Sequence, residues 1–153
     1  MIDLRAMKML ARLLALLTVL GLVAAASATA AHVIVAGGTY KGEALKGASF
    51  VIGSGGTRAR LHGRASVGLL CGPKKVTGSP STGQYAAVIV LDASSAPTLK
   101  INNANGTFRG AHRHYGETVT IVGEFSADAK TMVFTVRTSA GTCSSSKYTF
   151  RSA

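Results

Sequence analysis

Acidic side chains are scarce in this chain. Its 153 residues hold 6 Asp and Glu against 17 Lys and Arg, a formal net charge of +11. The acids are Asp3, Glu43, Asp92, Glu117, Glu124 and Asp128. Glu117 and Glu124 have opposite parity within one strand-like stretch, so they face apart and do not form a glycosidase's paired carboxylates. Tryptophan is absent, and the aromatics are five Phe and four Tyr. That is little stacking surface for single-stranded nucleic acid. Only two cysteines are present, with no Cys-x-x-Cys and no zinc-ligand spacing, which argues against thiol redox chemistry and zinc sites. Neither Ser54 nor Ser66 has the flanking glycines of a Gly-x-Ser-x-Gly nucleophile elbow. Gly53-Ser54-Gly55-Gly56 lacks the Gly-Lys-Ser/Thr ending of a phosphate-binding loop and reads as a turn. No catalytic residue and no cofactor is expected.

The N-terminus carries the layout of a secretory signal peptide. Arg5, Lys8 and Arg12 form a basic segment, and Leu13 to Ala25 is apolar except for Thr18 and Gly21. This run of about 13 residues falls short of the roughly 20 that span a bilayer as a helix. A cut after Ala28-Thr29-Ala30 makes residues 1–30 the signal peptide and 31–153 a single secreted domain, not transmembrane after cleavage. The expected localisation is extracellular or cell-envelope associated. Without the leader's three bases and one acid, 14 basic and 5 acidic residues remain, a net charge near +9. Such a field attracts acidic glycans, envelope phosphates and lipid surfaces. Export argues against nucleic acid as the natural partner.

Past the leader, helical periodicity gives way to short β-branched and aromatic runs separated by Gly, Ser and Asn. That spacing predicts an all-β antiparallel sandwich or flattened barrel of about seven to nine strands. Thr39–Lys41 opens the series, and Ala48–Ile52 follows with Ala48, Phe50 and Ile52 on one face. From Arg58 to Cys71 the two parities separate. Ala59, Leu61, Gly63, Ala65, Val67, Leu69 and Cys71 form the core side, and Arg58, Arg60, His62, Arg64 and Ser66 the solvent side. A bend at Gly63 or Gly68 is expected, because 14 residues is long for one strand. Ala86–Leu91 is continuously apolar and reads as a central strand buried on both faces. Asn105-Gly106 predicts a hairpin between Thr98–Ile101 and Thr107–Arg109. Thr118–Phe125 and Met132–Val136 form a second hairpin, and Tyr148–Phe150 closes the chain.

Cys71 and Cys143 allow one intramolecular bridge, consistent with an oxidising compartment. Several short segments carry a resemblance: Gly38-Thr39-Tyr40-Lys41-Gly42, Ala48–Ile52, Leu69-Leu70-Cys71, Asn105–Gly110, Thr120–Ser126, and Cys143 with Tyr148–Arg151. Together they resemble a family of small secreted bacterial β-domains over about 110 residues. A glycine usual in the strand after Gly-x-Phe-Ser is replaced here by Met132-Val133-Phe134. The resemblance implies an all-β fold and a Cys71–Cys143 bridge, and no catalytic residue is carried over from it.

Two constellations are candidates for binding. Arg58, Arg60, His62 and Arg64 project from one strand face at about 7 Å intervals, with Lys74 and Lys75 as an extension. This row suits a linear polyanion through forked guanidinium hydrogen bonds, and equally suits a solvated face that deters aggregation. The second is His112 and His114, on one side of an extended segment, joined by His32. Were processing to leave His32 as the amino terminus, its amine and imidazole would complete a copper-binding or copper-delivery site. A structural or protein-interaction module is the remaining alternative.

Overall fold

The computed structural model describes residues 32, 34–72, 75–76, 79–80, 83–114, 116–139 and 143–153. The leader, its cleavage site and Lys74 lie outside the described residues. No helix among the described residues is long and apolar enough to cross a membrane.

Among the described residues thirteen strands follow in chain order. They are β1 (Thr39–Lys41), β2 (Ala48–Ile52), β3 (Arg58–Gly63), β4 (Ala65–Cys71), β5 (Lys75–Val76), β6 (Ser79–Pro80) and β7 (Tyr85–Leu91). The second half holds β8 (Leu99–Asn102), β9 (Thr107–His114), β10 (Glu117–Phe125), β11 (Thr131–Thr138), β12 (Cys143–Ser144) and β13 (Tyr148–Ser152). A 3-10 turn, Glu43–Leu45, joins β1 to β2.

Eight strands close into an antiparallel barrel in the order β10-β9-β8-β3-β2-β1-β13-β11, sealed by pairing of β11 with β10. The expected seven to nine strands are met by this barrel, with β4, β7 and β12 forming a ribbon outside it. Alternation sets the barrel's interior. Tyr40, Phe50 and Leu61 occupy one cross-strand row on β1, β2 and β3, and all three point inward. Phe50 packs edge-on to Phe134 at 5.3 Å between ring centroids, and Phe134 packs on Phe150 at 5.1 Å. Phe125 bridges Phe108 at 5.1 Å and Tyr40 at 5.2 Å. Interlocked rings at these separations add roughly 0.5–1.5 kcal/mol per pair beyond their buried area.

The long sequence segment from Arg58 to Cys71 breaks at Gly63, not Gly68. Gly63 adopts φ +80°, and its Cα approaches the Gly47 carbonyl so closely that a Cβ would lie 1.9 Å from that oxygen. The chain leaves the barrel wall there. β3 stays in the wall, and β4 turns out to pair with β12 and β7. Ala65, Val67, Leu69 and Cys71 remain buried against the core as their parity requires.

Ser145 makes this branch possible. β11 pairs with β13 over Thr131–Phe134 and with β12 at Arg137–Thr138. Val136, near the switch, donates its N–H to the Ser145 Oγ at 2.9 Å and accepts from the Ser145 N–H at 2.8 Å. A buried serine therefore satisfies backbone groups that a change of partner would orphan. Just beyond, the Cys71–Cys143 disulfide joins β4 to β12 with Cα atoms 3.9 Å apart.

The apolar run in β7 is not a central strand. β7 pairs only with β4 among the described residues and ends the sheet order. Ala87, Ile89 and Leu91 turn inward, whereas Val88 is 68% exposed and Val90 38%. Apolar composition on both faces expressed only one buried face, because no second layer among the described residues covers the other.

The buried phenol of Tyr40 has a pH consequence. Tyr40 donates a 2.5 Å hydrogen bond to the carbonyl of Ala129, itself held at φ +54°. Burial, and secondarily the Asp128 carboxylate, pushes the Tyr40 phenol above its usual value. The unfolded chain releases this proton near pH 10 while the folded chain retains it. The contribution of Tyr40 is thus fully present below about pH 10 and is lost as pH rises from there through the higher folded value. Tyr40→Phe should cost roughly 1 kcal/mol at pH 7, for the lost hydrogen bond. That gap should narrow above about pH 10. Urea titrations of both proteins at pH 7 and near pH 11 measure it, and a constant gap contradicts the assignment.

Candidate anion-binding face

The outward parity of β3 displays Arg58, Arg60 and His62, all exposed, and Arg64 follows at the kink. Arg58, Arg60 and His62 thus share one strand face, whereas Arg64 lies beyond the Gly63 kink, where the chain leaves the barrel wall. Lys75 lies in the short strand β5, which pairs with β6, and Lys74 falls outside the described residues.

The barrel adds neighbours to the row. Arg58 pairs directly with Lys100 on β8, and Lys100 pairs directly with Arg109 on β9. Directly opposed side chains have Cβ atoms about 4.5–5.5 Å apart. Three cations consequently lie side by side across three strands, all exposed. The cross-strand partners of Arg60 and His62 are Val51 and Ser49, and the other neighbour of Arg109 is Val122. None of the direct partners is an acid. Glu124, on β10 one alternation beyond Val122, is a diagonal neighbour of Arg109 at about 7–8 Å. Like charges placed directly opposite destabilise a sheet by roughly 0.2–1 kcal/mol per pair, so the fold tolerates this row at some expense.

Two exposed-side acids are committed elsewhere. Asp92 accepts from the backbone N–H groups of Ser94 and Ser95 and from both hydroxyls, at 2.7–3.0 Å. The Ser94 and Ser95 bonds hold its carboxyl well below the usual carboxylate range. Asp128 accepts from the Ser126 hydroxyl and the Lys130 N–H, and the Ser126 bond is the main cause of its lowered pKa. Both carboxylates organise turns, and neither is a cross-strand partner of the basic row.

The histidines do not converge. His32 lies at the β8–β9 turn, where its N–H donates to the Asn103 carbonyl and its ring packs against Gly106. Its Nδ1 is buried without a hydrogen-bond partner. His112 and His114 sit toward the far end of β9, pairing with Val119 and Glu117. Six residues of strand separate Gly106 from His112, about 20 Å. Among the described residues no group of three His, Cys, Asp or Glu side chains has metal-holding geometry. Sequence periodicity correctly put His112 and His114 on one side, but placed His32 with them only by assumption.

Lys100 and Arg109 were missed as members of the basic face. A signal for half of the row exists. A hairpin turning at Asn105-Gly106 with Asn102 opposite Thr107 puts Lys100 opposite Arg109. Their position beside Arg58 depends on closure of the barrel. Comparison of the chain with protein families, with curated proteins and with solved structures finds no match.

Proposed function

We propose that this is a non-catalytic, exported domain that binds a linear anionic polymer or anionic surface through the outer face of β3, β8 and β9. The ligand class is an acidic glycan, an envelope polyphosphate or an anionic lipid surface. One observation carries the reading: Arg58, Lys100 and Arg109 stand in direct cross-strand register with no acid opposite any of them. Two strand spacings separate the ends of that row, about 10 Å, while Arg60 and His62 continue it along β3 for about 13 Å from Arg58. A polyanion laid here relieves repulsion already built into the face and releases its own condensed counterions. The disulfide supports an oxidising compartment.

The test is elution from a heparin-like matrix. Arg58→Ser/Lys100→Ser/Arg109→Ser should elute at markedly lower salt than the parent, with a shallower dependence of retention on salt. The control removes three exposed cations away from these three strands: Lys46→Ser/Lys130→Ser/Arg151→Ser. Both variants lose the same net charge, so equal losses of retention would mean that overall charge, and no particular face, holds the polymer.

A further inference from the structure

A second basic feature lies three strands away from β3, and it is concave. β1 and β13 place Lys41 directly opposite Arg151. Between β1 and the Glu43–Leu45 turn the chain crosses tightly over β13. Gly42 has extended backbone, and a Cβ there would meet the Phe150 ring and the Thr149 carbonyl at 2.3 and 2.9 Å. Glycine lets the turn sit this low. The turn and β13 border an open cleft of about 560 Å³, whose lining includes Lys41, Glu43, Lys147, Tyr148, Thr149 and Arg151. That volume falls within the range of small-molecule sites, roughly 300–1,000 Å³.

The lining makes three cations face one carboxylate. Lys41 and Arg151 repel each other as direct neighbours, so an anion is favoured here. A bare inorganic anion leaves Glu43 facing negative charge. A ligand with an acid at one end and hydroxyls at the other suits every group. Arg151 can fork to a carboxylate, Lys41 and Lys147 supply point charge, and Glu43 and Thr149 accept from hydroxyls. We infer that this cleft binds a single acidic sugar unit, a pyranose bearing a carboxylate. The acid lies among Lys41, Lys147 and Arg151, and the hydroxyls lie toward Glu43. The site is separate from the β3–β8–β9 face and stands or falls separately.

The experiment titrates the oxidised protein with D-glucuronate, D-glucose and inorganic sulfate, following backbone amide shifts by NMR. Glucuronate should shift the amides of Lys41, Tyr148 and Thr149 with saturation by about 20 mM, the regime of millimolar dissociation constants. Glucose should not. Lys147→Gln/Arg151→Gln changes exposed positions only and should weaken glucuronate at least tenfold. Glu43→Gln should weaken glucuronate and strengthen sulfate, because a hydroxyl acceptor and a repelling charge leave together. Arg58→Ser/Lys100→Ser/Arg109→Ser should bind glucuronate as the parent does. The inference is overturned if glucuronate produces no shifts at these amides, if sulfate binds the parent as tightly as glucuronate, or if Glu43→Gln moves both ligands in the same direction.

Discussion

Replacing Cys71 and Cys143 together by alanine is expected to lower stability by about 4 kcal/mol. The bridge spans a sequence separation of 72 residues, and the chain-entropy account of cross-linking scales with the logarithm of that loop. The position of the bond says where the loss appears first. β4 and β7 hang outside the barrel, and β12 is the short strand that ties them to β11. In register, β12 meets β4 at Ser144 and Leu70, with the disulfide one residue further on. Burial of Val67 and Leu69 also holds the ribbon, at roughly 1.5–3 kcal/mol per side chain. Without the bridge, amide exchange in β4 and β7 should accelerate more than in β9, β10 and β11, because the ribbon opens below the global unfolding free energy. Urea midpoints and exchange rates of the oxidised parent and the double variant measure both effects. A loss under about 1 kcal/mol, or uniform acceleration across all strands, would mean that packing alone secures the ribbon.

Gly123→Ala should cost about 3 kcal/mol, the upper end of core overpacking. Gly123 lies on β10 opposite Phe108 on one side and Phe134 on the other. A Cβ at this position would sit 2.1 Å from the Val133 carbonyl oxygen, 2.5 Å from the Phe108 ring and 2.8 Å from the Phe134 Cα. Two of these three obstacles are backbone, which no rotamer change can clear. The methyl must therefore push β10 away from β11 at the seam that closes the barrel, or turn Phe108 off Phe125. Gly68→Ala is the matched control, because nothing lies within 4 Å of a Cβ there, and it should be close to neutral or slightly stabilising. Thermal or urea denaturation of the two variants decides the point. Equal stabilities would show that the strands separate at no cost.

Much of the wall was legible beforehand because its signals are local. The inward sets in β2, β3 and β4 follow from alternation, since successive strand side chains must face apart. The Asn105-Gly106 hairpin follows from turn chemistry, and Gly106 indeed adopts φ +69°. β10 and β11 pair from Val119–Thr138 to Phe125–Met132 around their short turn, as expected of adjacent alternating segments. β7 was misread for a physical reason. An uninterrupted apolar strand fits a doubly buried position, yet burial of its second face needs a covering layer, and composition cannot report whether one exists. Gly63 was one of two glycines proposed for the bend. Its φ of +80° and the approach of the Gly47 carbonyl distinguish it from Gly68, which has open space beside it.

The sequence by itself determined the all-β class, the inward and outward sets, a single available bridge and an excess of cations on the solvent side. Those properties depend on period-two alternation, turn residues and counting, each contained within a short window. The tertiary structure decided which strands are neighbours. It set Arg58 beside Lys100, drew Lys41, Lys147 and Arg151 around one cleft, left β7 at an edge and put His32 at the opposite end of β9 from His112. Adjacency of that kind comes from barrel closure between segments far apart in the chain, and no local pattern encodes it.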